Sequence, residues 1–229
     1  MALIKLGGGV TGMSGSIGGT TFARNASGAY ARARTVPINR KTLAQVKIRA
    51  IMSQLKTAWL ALSAAERTAW ATYAGNVAMS NRLGETVYLS GFNQFCRTNG
   101  ALLYQGAAIV EAAPTIFTLA EQDPTLSIAA VGATGVVTVT FDDSLGWCSE
   151  VGGFMVLQES APQNPSVNFF NGPWKTAGAL GGAVVPIASP QVFTSSYTLA
   201  AGKRIWLQAR IIRADGRLSA PFRDDVLCS

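Results

Sequence analysis

Histidine is absent from the 229 residues of this chain. Its absence removes the Ser–His–Asp and Cys–His nucleophilic arrangements, most catalytic zinc sites and any imidazole switch near neutral pH. An enzyme built on this sequence would have only carboxylates, lysine, tyrosine or cysteine to work with. Charge is scarce too: 14% of residues are charged, against about a quarter in ordinary globular proteins. With 48% hydrophobic residues the chain is too apolar to stay disordered, and a neutral surface of this kind suits contact with other subunits. Cysteine is limited to Cys96, Cys148 and Cys228, an odd number at wide spacing that makes neither a metal-ligand cluster nor a disulfide framework. One Cys148–Cys228 bridge is compatible with the spacing; three buried free thiols are the favoured expectation. No uninterrupted apolar run reaches the roughly 18 residues of a bilayer span. The stretch Ala101 to Val110 stops at Glu111, so no membrane partner is expected. Met1 to Leu6 lacks the apolar core of a signal peptide, which gives the expectation of a chain kept in a reducing cytoplasm until assembly.

Acidic residues are missing from the first 65 positions. Residues 1–110 hold twelve Lys and Arg against Glu66 and Glu85, a net of +10, and residues 111–229 hold seven against ten acids, a net of −3. Two regions with different partners are expected, with the change near Ala112, Ala113 and Pro114, where helical patterning gives way to strand patterning.

The first region opens with seven glycines between Gly7 and Gly19, an arm from which regular helix or strand is not expected because each glycine loses much backbone entropy on ordering. Gly7-x-Gly9-x-x-Gly12 matches the dinucleotide fingerprint literally. That motif needs a helix after its third glycine and an acid about 20 residues on. Gly15, Gly18 and Gly19 oppose the helix, the first acid is Glu66, and nucleotide binding is set aside. Thr20 to Ala33 reads as extended chain or a hairpin turning at Ser27-Gly28. Asn25-Ala26-Ser27 is a glycosylation sequon by chance, given the expected compartment. Arg24, Arg32, Arg34, Arg40 and Lys41 lie on or beyond this stretch. They are candidates for contact with an acidic neighbouring subunit or with phosphate; a solvated arm is the alternative.

Thr42-x-x-Gln45 and Ser63-x-x-Glu66 are capping boxes. They predict one helix to about Ala58, with Ile48, Ile51, Met52, Leu55 and Trp59 on its apolar face, and a second through about Ala78, with Trp70, Tyr73, Ala74 and Val77 on one side. The link Leu60–Leu62 predicts an antiparallel helical hairpin with Trp59, Leu62 and Trp70 at its elbow. A third helix is predicted after Ser90, carrying Phe92, Phe95, Leu102 and Leu103. The run Pro37-Ile-Asn39-Arg-Lys-Thr42-x-x-Gln45-x-x-x-Arg49, then Trp59-x-x-Leu62-Ser63-x-x-Glu66-Arg67-x-x-Trp70-x-x-Tyr73-Ala74, then Ser90-Gly91-Phe92-Asn93-x-Phe95-x-x-x-Asn99 resembles a module of phage and prophage virion proteins and related bacterial proteins. The resemblance covers about residues 7–105 and implies a setting, the virion, with no catalytic residues. Arg40 departs from the proline usual there.

The second region reads as β. Strands are predicted at Gly135 to Phe141 (Val137, Val139 and Phe141 on one face), Gly153 to Glu159, Val184 to Ile187, Phe193 to Leu199 and Lys203 to Arg213 (Ile205, Leu207, Ala209 and Ile211 inward). The turn Asp215-Gly216 then leads into Leu218 to Leu227. About seven short strands suggest an antiparallel sandwich. Ser195-Ser-Tyr197-Thr-Leu199-x-x-Gly202, then Ile205-x-Leu207-x-Ala209-x-Ile211, then Asp215-Gly216-Arg217-Leu218-Ser219-Ala220-Pro221 resembles the last strands of a fibronectin type III domain. The departures are Ile205 in place of the core tyrosine, no early-strand tryptophan, and a long Asn164 to Gly182 insertion. Phe169, Phe170 and Trp174 in that insertion read either as a contact patch or as residues folded onto their own domain. Asp142-Asp143 and Asp224-Asp225 are read as turn and strand-end acids, because neighbours in a strand face opposite ways.

The expectation is therefore an α+β chain: residues 1–41 a Gly-rich basic arm with an extended hairpin, 42–112 a helical hairpin module, and 115–229 a fibronectin-like antiparallel β-sandwich. Its expected role is that of a non-enzymatic structural component of a bacteriophage virion, made in the bacterial cytoplasm. It is expected to bind copies of itself and other virion proteins, with no cofactor, metal or catalytic residue. Two other readings stay open. One is a nucleic-acid-binding module using the basic half, distinguished by steep salt dependence; the other is a receptor- or glycan-binding tail component using the aromatic insertion, distinguished by Trp174→Ala.

Overall fold

A computed structural model of the protein describes residues 7–25, 28–36, 38–80 and 84–229, and the backbone of 2–3. By its internal contacts the chain divides into Met1–Leu43 and Ala44–Ser229. It is a mixed α+β fold.

In the first unit, β1 (Ala2–Leu3), β2 (Gly15–Ile17), β3 (Thr20–Asn25) and β4 (Gly28–Ala33) form an antiparallel sheet in the order β1-β4-β3-β2. The expected hairpin is β3–β4, in register from Thr20↔Ala33 to Asn25↔Gly28. Ala26 and Ser27, part of its expected turn and of the sequon, lie outside the described residues, as do Pro37 and most of Met1 to Leu6. The glycine arm corrects the expectation of no regular structure, because Gly15–Ile17 is a strand. Gly18, at φ 57°, and Gly19 make a two-residue turn that brings Ile17 back onto Thr20. Two-residue hairpin turns ask for such positive φ, so here glycine starts a ladder rather than preventing one. A strand, not a helix, follows Gly12, so the dinucleotide geometry is absent here. No described side chain from 7 to 43 is buried.

The helices of the second unit are α1 (Leu43–Ala61), α2 (Ala64–Asn76) and α3 (Gly91–Tyr104). The Ser63 capping box is complete: Ser63 Oγ accepts from Glu66 N (3.2 Å), and the Glu66 carboxylate accepts from Ser63 N (2.7 Å). Ser90 Oγ likewise accepts from Asn93 N at the start of α3. Side-chain contacts along α1 run to α3 in antiparallel order, Lys47 against Tyr104, Leu55 against Gly100, and Trp59 against Phe95 and Phe92. At the start of α3 the chain comes so near α2 that a Cβ on Gly91 would stand 2.8 Å from Ala71 N. Ile51, Leu55, Leu62, Trp70, Tyr73, Val77 and Phe95 form the helical core, with Trp59 packed against it. Two of the five residues on the predicted α1 face depart from expectation: Ile48 and Met52 are 47% and 46% exposed, while Ile51 and Leu55 are buried in the helical core and Trp59 packs against it.

Seven strands follow: β7 (Ser127–Val131), β8 (Val136–Thr140), β9 (Phe154–Glu159), β10 (Lys175–Gly181), β11 (Gln191–Thr194), β12 (Arg204–Ile212) and β13 (Phe222–Leu227), with a short ribbon β5 (Met79–Ser80) and β6 (Thr86–Val87) between α2 and α3. They pair as sheets β11-β8-β7 and β10-β9-β12-β13. Ile128, Val137 and Val139 of the first sheet and Met155, Leu157, Leu207, Ala209 and Ile211 of the second share one buried core with Phe141, Trp147 and Leu199. The predicted inward sets of β8 and β12 are thus found buried, and Asp215-Gly216 turns as expected, with Gly216 at φ 91°.

Two predicted strands are corrected. Val184 to Ile187 is not a strand, and Val184 and Val185 face solvent. Gly182 N bonds to Gly153 O, while Ala183 N and Ile187 N bond to Cys148 O; Pro186 has no N–H for a ladder. Phe193 to Leu199 shortens to β11, because Ser195 Oγ and Ser196 N turn away to the buried Glu159 carboxylate (2.7 and 2.8 Å). β7 and the glycine-containing β10 were not anticipated.

Trp206, Gln208, Arg210 and Ile212 occupy the other face of β12, and that face is covered as well. Leu102 of α3 packs with Ile212 and Leu218. Arg97 donates from Nη1 and Nη2 to Leu218 O and Ser219 O (3.1 and 3.0 Å), and Thr98 Oγ1 donates to Gly216 O (2.7 Å). Asn99 clasps Val110 through its N–H and its carbonyl. The composition change near Ala112–Pro114 therefore lies inside a unit in which helix and sheet are bonded together.

Candidate functional site

Arg24, Arg32, Arg34, Arg40 and Lys41 are all exposed, and none forms an ion pair among the described residues. The β3–β4 register puts Arg24 opposite Ala29 and Arg32 opposite Thr21. Cross-strand partners share a face and successive residues alternate, so the two arginines point to opposite faces of the sheet. The structure does not bring them together around one anion.

The aromatic insertion divides its residues between the two readings open from sequence. Phe170 is folded down, edge-on to Trp174 at 5.0 Å between centroids, and its carbonyl accepts from Arg223 Nη1 at 2.7 Å. Phe169 is 69% exposed with the Arg223 guanidinium 5.5 Å from its ring centre. Trp174 is half-buried and lines a cleft of about 490 Å³.

That cleft is built by α1, α3 and the outer face of the β10-β9-β12 sheet. Alternation along β9 sends Met155 and Leu157 into the core and leaves Val156 and Gln158 outward; on β12 it leaves Arg210 outward, opposite Val156. Gln208 Nε2 donates to Gln158 Oε1 at 3.0 Å. The opposing wall presents Ile48 from α1 and Arg97, Ala101 and Tyr104 from α3, and Trp174 and Lys175 stand at one side. No acidic residue lines it. Burial holds Arg97 down at about 10, with the positive charge of Arg210 adding to the effect. Burial also lowers Arg210, whose Nε is buried with no hydrogen-bond partner. Sequence reasoning missed Arg97, Arg210 and Lys175. One signal was available: the run Ile205 to Ile212 is apolar on both faces apart from Gln208 and Arg210, the mark of a strand covered on each side.

Asp123, Asp224 and Asp225 are held by structural bonds. Asp123 accepts from Thr125 and from Asp142 N, Asp224 accepts from Ile128 N, and Asp225 pairs with Arg204 at 2.6 Å. Among the described residues no three of His, Cys, Asp and Glu stand together as metal ligands, and no helix is long and apolar enough to cross a membrane. Cys96, Cys148 and Cys228 are free, the last two buried and Cys96 half-buried.

No protein-family model matches the chain, and no curated protein matches it. Among solved structures it is similar to a family 76 glycoside hydrolase from a bovine Bacteroides thetaiotaomicron strain, with 13% identity and a TM-score of 0.33. The match spans 46% of this chain and 20% of that one. A likeness at this level carries no argument about fold or activity.

Proposed function

We propose that the protein is a non-enzymatic structural component of a phage-like virion that acts through contacts with copies of itself and with other virion proteins. The observation that carries this reading is the N-terminal sheet, in which no described side chain is buried. A few short strands need a covered apolar face to be stable in water. Ordering the glycine-rich chain in addition opposes folding by about 1–2 kcal/mol per residue. Such a sheet is expected to be held against a neighbouring subunit, and its unpaired arginines would meet acidic side chains there. The exposed apolar residues Val46, Met52 and Leu60 of α1 supply a second contact face. On this reading the two C-terminal sheets are a fibronectin-like sandwich that projects from or decorates the particle.

The test removes residues 1–41. The remaining chain keeps all its buried clusters and is expected to fold, yet to be lost from sedimented particles that contain the intact protein. Incorporation of the truncated chain at the intact level would sink the proposal. The divergence of Arg24 and Arg32 weighs against the nucleic-acid reading.

A further inference from the structure

Arg204, Arg213 and Arg217 of the C-terminal strands and turn each have a carboxylate within ion-pair distance. Among the described residues Arg97 and Arg210 have none, although both are largely withdrawn from water and line the same cleft. Taking a guanidinium out of water without a counter-charge is unfavourable, and bringing a second one beside it is more so. Arg97 has part of this offset by two neutral carbonyls. The Arg210 side chain has no hydrogen bond among the described residues, and its Nε is sealed from solvent. Both open onto the same cleft, with Lys175 at its side and no acid in its wall. Guanidinium donors suit the planar or tetrahedral array of oxygens in a carboxylate or phosphate. Ile48, Val156, Tyr104 and Trp174 add an apolar and aromatic bed beside the polar side chains of Gln105, Gln158 and Thr176. The cleft volume, about 490 Å³, falls in the range of small-ligand sites.

We propose that the Arg97–Arg210 cleft is a binding site for a small organic anion, whose carboxylate or phosphate group meets the two guanidinium groups and whose apolar body lies against Trp174. The site is independent of the virion reading and would stand if that reading failed. The oxyanion supplies the missing counter-charge, while Trp174 and Ile48 favour an aromatic or branched body over a bare ion. Free phosphate, an organic phosphate and an organic carboxylate share this chemistry and are separated by the probes.

The test is titration of the full-length protein with inorganic phosphate, phenyl phosphate and phenylacetate, with benzyl alcohol as neutral control and sodium chloride matching ionic strength. Melting temperature and tryptophan fluorescence are the readouts. At least one anion is expected to raise the melting temperature saturably and to change the tryptophan emission, a change that Trp174→Phe abolishes, while benzyl alcohol does neither. Which probe binds identifies the source of the oxyanion. In Arg210→Gln the affinity is expected to fall roughly ten- to a hundredfold, the size of a lost charge-assisted hydrogen-bond pair. Arg210→Lys is expected to recover part of it, and Arg67→Gln, on α2 and outside the cleft, to leave it unchanged. The melting temperature of ligand-free Arg210→Gln is expected to be equal to or above that of the parent. Saturable response to none of the three anions, or a response that Arg210→Gln leaves intact, overturns the proposal. An unfolded Arg210→Gln moves the decision to the unaltered chain and Arg210→Lys, where the same outcomes apply.

Discussion

Leu218→Ala tests whether the helices and the strands unfold as one body. Leu218 is 1% exposed and packs with Leu102 of α3 and Ile212 of β12, so its side chain fills the seam between helix and sheet. Truncating a buried leucine to alanine costs about 2–5 kcal/mol, more where the neighbours cannot collapse into the space. Collapse is restrained here, because Arg97 and Thr98 tie α3 to the backbone of Gly216, Leu218 and Ser219 and these bonds do not involve the Leu218 side chain. A value of about 3 kcal/mol is therefore reasonable. At about 2–4 °C per kcal/mol for a unit of this size, it lowers the melting temperature by about 6–12 °C. The assay is native-state hydrogen exchange read by mass spectrometry, which separates peptides of α2 and α3 from peptides of β9 and β12. If Ala44–Ser229 is one cooperative unit, the most protected amides of both sets lose the same free energy. Strand peptides that lose protection while α2 and α3 keep theirs would show two separately folding parts, and the reasoning from the seam would be wrong.

Two further outcomes follow from titrating groups. The Ser63 hydroxyl and then its backbone N–H hold Glu66 below its ordinary range. A carboxylate lowered in the folded state stabilises above its unfolded pKa of about 4 and loses that contribution as pH falls through the folded value. Glu66→Gln is therefore expected to unfold at lower urea than the parent at pH 7, with the gap closing at pH 2; a gap that persists in acid contradicts the assignment. Burial, and then the charges of Asp143, Asp142 and Asp123, push the Cys148 thiol up to about 11, and burial raises Cys96 and Cys228 as well. The folded protein at pH 8 is expected to react with iodoacetamide far more slowly than the urea-unfolded protein, and rapid labelling of native Cys148 refutes that account.

What could be read from the sequence is what depends on neighbours along the chain. Ser63 and Glu66 meet across one helical turn, so the cap of α2 is visible in four residues. Ile205, Leu207, Ala209 and Ile211 share a strand face by alternation alone. Gly18-Gly19 shows the opposite case: composition argued against a strand, while the turn geometry those glycines permit produced one. Val184-Val185 looked like a strand by content, but Pro186 and the close approach of Gly182 to Trp147 O give that backbone other partners. The exposure of Ile48 and Met52 on α1 escaped notice because helical spacing shows which residues are aligned, not how wide a surface the partner helix covers.

The cleft was hidden for the same reason in stronger form. Arg97, Trp174 and Arg210 come from a helix, a loop and a strand more than 110 positions apart at their extremes, and each alone has an ordinary explanation. An arginine on a helix reads as solvated, and one in a strand reads as its outward face. Their meaning appears only when β12 is found covered on both sides, because a covered arginine needs an opposite charge. Among the described residues Asp225, Glu150 and Asp215 pair with Arg204, Arg213 and Arg217, and no acid pairs with Arg97 or Arg210. In a chain with few charges, placing two unmatched ones around one cavity is the most specific electrostatic feature of the fold, and it is why the counter-charge is sought outside the protein.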